Sequence, residues 1–183
     1  NHFEAFFAHN TAEASAIFFR DIFPGLQVET VSWGDSETMK ATGVLNELQK
    51  NPELSVIDSF APGMSRKQKI YWRRQALLTD LFLTGSNALT QKGQLVNLDM
   101  IGNRVGGITF GPKHVVLFIG INKITANLEE AMHRVRTIAA PRNAIRHEGF
   151  RTPCHKTGVC MDCNSPDRIC NVWTITETVS YTH

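Results

Sequence analysis

The chain contains no cysteine before Cys154, only two tyrosines, and no apolar run approaching the roughly 18 residues that a membrane-spanning helix needs. Its 19 basic and 17 acidic residues nearly cancel, leaving a formal charge of +2, so no single-sign field steers it toward nucleic acid or a membrane surface. No signal-peptide pattern opens the chain as given, which begins at Asn1. The seven histidines form no H-E-x-x-H pair, no serine sits in G-x-S-x-G, and neither a P-loop nor a G-x-G-x-x-G turn occurs. Hydrolase, ATPase and dinucleotide-dehydrogenase readings therefore lack their motifs. Internal repeats and low-complexity segments are missing as well, so one domain of varied sequence is expected. At 183 residues such a chain buries roughly 70% of its unfolded surface and needs no staple to fold.

The apolar runs that are present follow a strand–helix rhythm. Phe3, Ala5, Phe6 and Phe7 predict a short first strand, and Thr11 is placed to cap a helix carrying Ala14, Ile17, Phe18 and Phe19, ended by Pro24-Gly25. Val28 to Val31 predicts a second strand, followed by a helix capped by Ser36 with Met39, Val44, Leu45 and Leu48 inside. A third strand at Leu54 to Ile57 leads to a long helix from Ser65 to about Asp80, and Leu81-Phe82-Leu83 continues the series. Val115 to Ile119 reads as a strand buried on both faces, and Gly120 releases it into Ile121-Asn122-Lys123. Asn127 and Glu130 have capping-box spacing for a helix that Pro141 bends or ends. Val172 to Tyr181 alternates like a last strand. The expected fold is α/β, a mostly parallel core over residues 1–149 with a cysteine-bearing segment over 150–183. The basic, aromatic helix from Arg66 to Arg74 spreads its charges over several faces. It reads as a solvated helix and not as a nucleic-acid surface.

The densest stretch of polar chemistry is Thr84 to Gly111, where an apolar strand runs into glycines, amides and one carboxylate. Gly85 frees the backbone at the strand end, Ser86 and Asn87 offer short polar groups, and Lys92-Gly93 turns a hairpin that returns Asn97 and Asp99 to the same edge. Asn103 and Arg104 then open a helix whose free N–H groups are expected to face an anion. With Lys123, these residues place a candidate site for a carboxylate or phosphate at strand ends, where open α/β sheets bind ligands. Each also has a plainer role: Asn87 and Asp99 as turn caps, Arg104 in a surface ion pair, Lys123 extended to solvent. An anion site at Gly34-Asp35-Ser36 is disfavoured by the charge of Asp35 itself.

All four cysteines, Cys154, Cys160, Cys163 and Cys170, fall in one segment with the pattern C-x5-C-x2-C-x6-C. The C-x-x-C pair at Cys160 and Cys163 suits two ligands of one metal ion or two corners of a cluster, and Arg151, His155, Lys156 and Arg168 offset the charge of four thiolates. His155 is expected beside the ligands, not among them. Zinc, an iron–sulfur cluster, disulfides and free thiols all remain open on spacing alone.

The run T-G-S-N-A-L-T-x-x-G-x-L-V-N-x-D-x-x-G-N-R-V, followed by F-G-P-K-H-V-V, G-I-N-K-I, V-R-T-I-A-A-P-R-N-A and the tail T-P-C-x-K-T-G-x-C-x-D-C-N-S-P-D-R-I-C-N, resembles the LUD (lactate utilisation) domain family. The resemblance spans about Asn10 to Asn171. A looser likeness reaches the sugar-phosphate isomerase and CoA-transferase superfamily, which implies a three-layer, mostly parallel, Rossmann-like sheet. Members there often carry an acid at the place of Asn87. The family resemblance implies a cytoplasmic component of lactate (2-hydroxy acid) oxidation to pyruvate, with a 4Fe–4S iron–sulfur cluster ahead of zinc and an iron–sulfur oxidoreductase as partner. In that scheme Arg104 and Lys123 bind the anionic group, Asn87 and Asp99 orient the hydroxyl, and the cysteines hold the redox centre. Two alternatives stand beside it: a non-catalytic metabolite-binding or assembly module with a structural four-cysteine zinc site, and an isomerase- or transferase-like enzyme with Asp99 as its acid.

Overall fold

In a computed structural model that describes residues 2–179, the elements run α1 (Thr11–Ile17), β1 (Thr30–Trp33), α2 (Glu37–Ala41), α3 (Val44–Leu48), β2 (Ser55–Val56), α4 (Arg66–Gln75), β3 (Leu81–Thr84), β4 (Ala88–Thr90), β5 (Leu95–Asp99), α5 (Asn103–Thr109), β6 (His114–Leu117), β7 (Ile124–Thr125), α6 (Leu128–Arg134), α7 (Ala140–Arg146), α8 (Pro153–Thr157) and β8 (Val172–Thr176). The chain is a mixed α/β protein whose contacts group it into two units. No helix among the described residues is long and apolar enough to cross a membrane.

One unit, residues 2–85 with 106–119, carries an all-parallel four-stranded sheet in the order β2-β1-β3-β6. β1 and β3 occupy its centre, and Val31, Leu81 and Leu83 are fully buried. They pack with Phe18, Met39, Val44, Leu48 and Phe118 into a single apolar cluster. The helices obey local capping rules. Ser36 accepts from the Met39 amide, and Ser65 with Gln68 forms a reciprocal capping box. Several boundaries differ from the sequence reading. Phe3 to Phe7 form no strand; a run without a partner strand has nothing to satisfy its amides. Asn10, not Thr11, caps α1, because its Oδ1 accepts the Glu13 amide at 2.9 Å. The helix expected after Ser36 breaks at Gly43, whose φ of +74° starts α3 afresh. The long helix before β3 leaves its α register at Gln75 and tightens into a 3₁₀ turn, Ala76–Leu78. β6 lies at the sheet edge, half-buried throughout, so Val115–Leu117 do not form the doubly covered strand that their apolar run suggested.

β1 begins at Thr30, two residues later than expected, and Asp80 holds its start. The Glu29 and Thr30 amides donate to Asp80 Oδ2 at 3.1 and 2.9 Å, and the Thr30 hydroxyl donates to the same oxygen at 2.7 Å. Lys113 Nζ lies 2.6 Å from Oδ1. The Lys113 ammonium first, then the Thr30 hydroxyl and the amides, hold the Asp80 carboxyl well below the usual carboxylate range. Exposed Lys113 adds little, while the donors from β1 tie that strand to the start of β3. Asp80→Asn is expected to lower unfolding free energy by about 2 kcal/mol at neutral pH. A carboxyl with a depressed folded-state value stabilises above its unfolded value and ceases to do so as pH falls through the folded one. The difference between wild type and Asp80→Asn in urea titrations should therefore shrink on acidification; a constant difference would count against the clasp.

The other unit, residues 86–105 with 120–179, carries a mixed sheet in the order β7-β4-β5-β8. β4 and β5 form the expected hairpin through Lys92-Gly93, with Gly93 at φ +84°. β7 joins β4 in parallel and β8 joins β5 antiparallel. Strands after Thr84 thus build a second sheet instead of extending the parallel series. The segment expected as an appendage beyond residue 149 supplies the β8 edge of that sheet; the part of the predicted last strand at residues 180–181 lies outside the described residues. Ala88 and Val96 pack with Ala131 and Val135. Asn127 caps α6, and Glu130 returns its carboxylate to the Ala126 amide at 3.0 Å. Pro141 does not end this helix: a π turn, Val135–Ala139, resets the register so that Pro141 falls in the first turn of α7, where its missing N–H costs nothing.

Candidate functional site

In β5, Asn97 and Asp99 stand two residues apart and so point to one face. Asp99 is 8% exposed and accepts four donors: the Arg104 and Val105 amides on Oδ2, both at 3.0 Å, and Arg104 Nε and Nη2 on Oδ1 at 3.0 and 2.7 Å. The N–H groups that open α5 therefore meet the chain's own carboxylate, which corrects the expectation that they are free for an external anion. Arg104 extends the network, donating through Nη1 to Asn97 Oδ1 at 2.8 Å and through Nη2 to Asn87 Oδ1 at 2.7 Å. Asn87 Oδ1 also takes the Leu98 amide at 2.9 Å. Ser86 Oγ donates to the Ala88 carbonyl at 2.8 Å and lies 3.2 Å from Asn97 Oδ1.

Ser86, Asn87, Asp99 and Arg104 are thus brought together, with Asn97 at the hub. The Arg104–Asp99 pair is buried, with side chains 11% and 7% exposed, so the surface ion-pair alternative does not describe it. Asn97 is fully buried. Among the described residues its Nδ2 has no partner, and neither has the Oγ1 of Thr174, directly opposite on β8. Period-two alternation with Asp99 was the sequence signal for this residue, although its hub position depends on a hairpin register. Asn103 opens α5, but among the described residues no hydrogen bond joins its side chain to the cluster. Gly85 belongs to the parallel-sheet unit, where a Cβ would stand 2.5 Å from Ser36 Oγ and 3.0 Å from the Phe118 carbonyl. Close packing accounts for a glycine at that position.

Lys123 closes a 3₁₀ turn, Ile121–Lys123, and is half-buried. Among the described residues its Nζ has neither a hydrogen bond nor an ion pair. Burial, then the charges of Arg134 and Arg104, push it down to about 8. Arg134, which sequence reasoning did not single out, donates through Nε to the Asn122 carbonyl at 3.0 Å and through Nη1 to the Asn87 carbonyl at 2.6 Å. Burial and neighbouring Arg142 push its own guanidinium down. It sits in the last turn of α6, where a basic residue reads as a helix-terminal charge, so nothing in the sequence marked it.

The four cysteines are free thiols lining one cavity of about 20 Å³ with Ala140, Pro141 and Ile169. That is more than the roughly 10–15 Å³ that admits one water. Burial pushes the Cys170 thiol up, Arg168 opposes that, and Cys160 and Cys163 add to it. Arg168 organises the loop by donating to the Cys163 and Cys170 carbonyls. His155 turns its Nδ1 to the Ala144 carbonyl at 2.8 Å. Among the described residues no three His, Cys, Asp or Glu side chains are grouped closely enough to hold a single metal ion. Four soft thiol donors line this cavity, the ligand type that zinc and iron–sulfur centres share.

Fold and site together define a mixed α/β protein with a buried amide–carboxylate–guanidinium cluster, flanking cations and a four-cysteine segment. The model of the LUD domain matches residues 1–181, and the chain belongs to the LUD domain family. No curated protein and no solved structure matches it.

Proposed function

We propose that this LUD-domain protein binds a small carboxylate, of the 2-hydroxy acid class, as a cytoplasmic component of lactate oxidation to pyruvate. The observation that carries the ligand class is the charge imbalance beside the cluster. Asp99 is fully engaged by Arg104 and two amides, whereas among the described residues no carboxylate is paired with Lys123 or Arg134. A half-buried ammonium without an acceptor is costly, and an anionic ligand supplies one. In this reading Lys123 and Arg134 hold the carboxylate, Ser86 and Asn87 lie beside the hydroxyl, and Asp99, Asn97 and Arg104 keep the frame rigid. The cysteines Cys154, Cys160, Cys163 and Cys170 hold an iron–sulfur cluster of the 4Fe–4S type, which when bound supplies one-electron transfer to an iron–sulfur partner. Anaerobic purification with visible absorption and metal analysis tests the cluster. A colourless protein with stoichiometric zinc would instead favour a metabolite-binding module with a structural metal. The isomerase-like reading has less support, because Asn87 is an amide and Asp99 is already saturated with donors.

Calorimetry with lactate tests the anion site. Binding is expected to weaken as pH rises through about 8, where Lys123 loses its charge while the arginines keep theirs. Lys123→Met is expected to weaken it by about tenfold or more and to remove that pH dependence. Unchanged affinity in Lys123→Met would place the ligand elsewhere.

A further inference from the structure

Helix α4 carries five cations in ten residues, Arg66, Lys67, Lys69, Arg73 and Arg74, and no acid. With the whole chain at +2, the remainder is net acidic, so the near balance of charge hides one concentrated basic element. These cations are also unanswered. Lys40, Lys50 and Lys113 each lie on a carboxylate, whereas among the described residues none of the five on α4 has an ion pair. No residue of α4 is fully buried, and the helix lies on the surface of the parallel-sheet unit. Lys67, Tyr71 and Arg74, spaced four and three apart, share one exposed face. Trp72 meets the Tyr71 ring edge-on at 5.2 Å.

Apolar side chains project beside this face. Leu78, in the 3₁₀ turn that follows α4, is 77% exposed. A Cβ on Gly111 would stand 2.8 Å from the carbonyl oxygen of Leu77, so the turn that holds Leu78 abuts the segment that holds Phe110, itself 79% exposed. Side chains standing so far clear of the surface need matching pockets in a protein partner, but a fluid lipid layer needs none. Nucleic acid would engage the cations and aromatic rings and leave Leu78 and Phe110 without a role. Unpaired basic charge beside projecting Leu, Phe and Trp suits the boundary of an anionic bilayer, where headgroups answer the cations and the acyl region takes the apolar groups.

We propose that α4, with Leu78 and Phe110, docks this protein peripherally on an anionic phospholipid surface, Lys67 and Arg74 meeting the headgroups and Leu78 and Phe110 entering the acyl boundary. This surface is independent of the anion site and the cysteines, and such docking requires no spanning helix.

The test is flotation of the full chain with vesicles of phosphatidylcholine alone and of phosphatidylcholine mixed with phosphatidylserine, with tryptophan emission as a second readout. Binding is expected to the mixed vesicles only and should weaken as salt is raised. Lys67→Gln with Arg74→Gln should weaken it by roughly twentyfold, about fivefold for each cation removed. Leu78→Ser with Phe110→Ser should weaken it by about tenfold or more. All four positions are exposed, so both double variants should melt close to wild type. Emission should shift to the blue on binding, and Trp72→Phe should lose that shift. Flotation with neither vesicle, equal flotation with both, or binding that survives in the Lys67→Gln and Arg74→Gln variant overturns the proposal. Tighter binding of a single-stranded oligonucleotide or of polyglutamate than of the mixed vesicles also overturns it, and assigns the helix to nucleic acid or to an acidic protein instead.

Discussion

Arg104→Met will unfold far more easily than wild type, with a loss of about 3–5 kcal/mol, because it leaves the buried Asp99 carboxylate without its counter-charge. Asn87 Oδ1 and Asn97 Oδ1 lose a charged donor in the same step. Arg104→Lys should recover only part of the loss, since a single ammonium cannot span Asp99, Asn97 and Asn87 as a planar guanidinium does. Urea titrations of both variants measure the difference. The contrast with Lys123→Met gives the experiment its force: removing an unpartnered, half-buried ammonium should leave stability unchanged or slightly improved while ligand binding falls. A stability change of less than about 1 kcal/mol in Arg104→Met would show that the cluster is not held by this pair.

The second large effect is expected at the cysteines. If the four thiols share one cluster, Cys163→Ser will lower its retention by more than about tenfold, since even residues that only support a metal ligand cost that much. The visible absorption should vanish with the metal, and the variant's melting point should match that of chelator-treated wild type, because a group that binds only the folded state stabilises it by mass action. Cys154→Ser and Cys170→Ser should behave alike. Full metal content in any one of them would remove that thiol from the ligand set.

Much of this could be read from the order of residues, and the parts that could not have physical causes. The hairpin at Lys92-Gly93 was legible because a turn glycine separates two apolar runs, and the caps at Ser36, Ser65 and Asn127 because capping is local. The membership of Ser86, Asn87, Asp99 and Arg104 in one place was legible from the family resemblance and the expected hairpin. How they are arranged was not. Nothing local says that Asp99 caps α5 itself, or that Arg104 turns inward, since both depend on β5 ending five residues before the guanidinium it must reach. Arg134 escaped notice for the same reason: its partners are backbone carbonyls of Asn87 and Asn122, distant in sequence and without side-chain signature. The edge position of β6 was hidden because an apolar run records how much a strand prefers burial, not how many neighbours it acquires.

The pairing of β8 with β5 also sets an order of events during synthesis. The parallel sheet is complete once Leu117 has been made, so that unit has all its strands while the ribosome is still adding the rest. The second sheet must wait for Thr176, because the strand that carries Asn97 and Asp99 gains its outer neighbour only from Val172–Thr176. Until then β5 presents an open edge, the kind of unpaired backbone that invites a wrong partner, and the cysteine loop has no anchored end. A nascent chain stalled between these two points would hold a complete parallel sheet while β5 still lacked one of its neighbours.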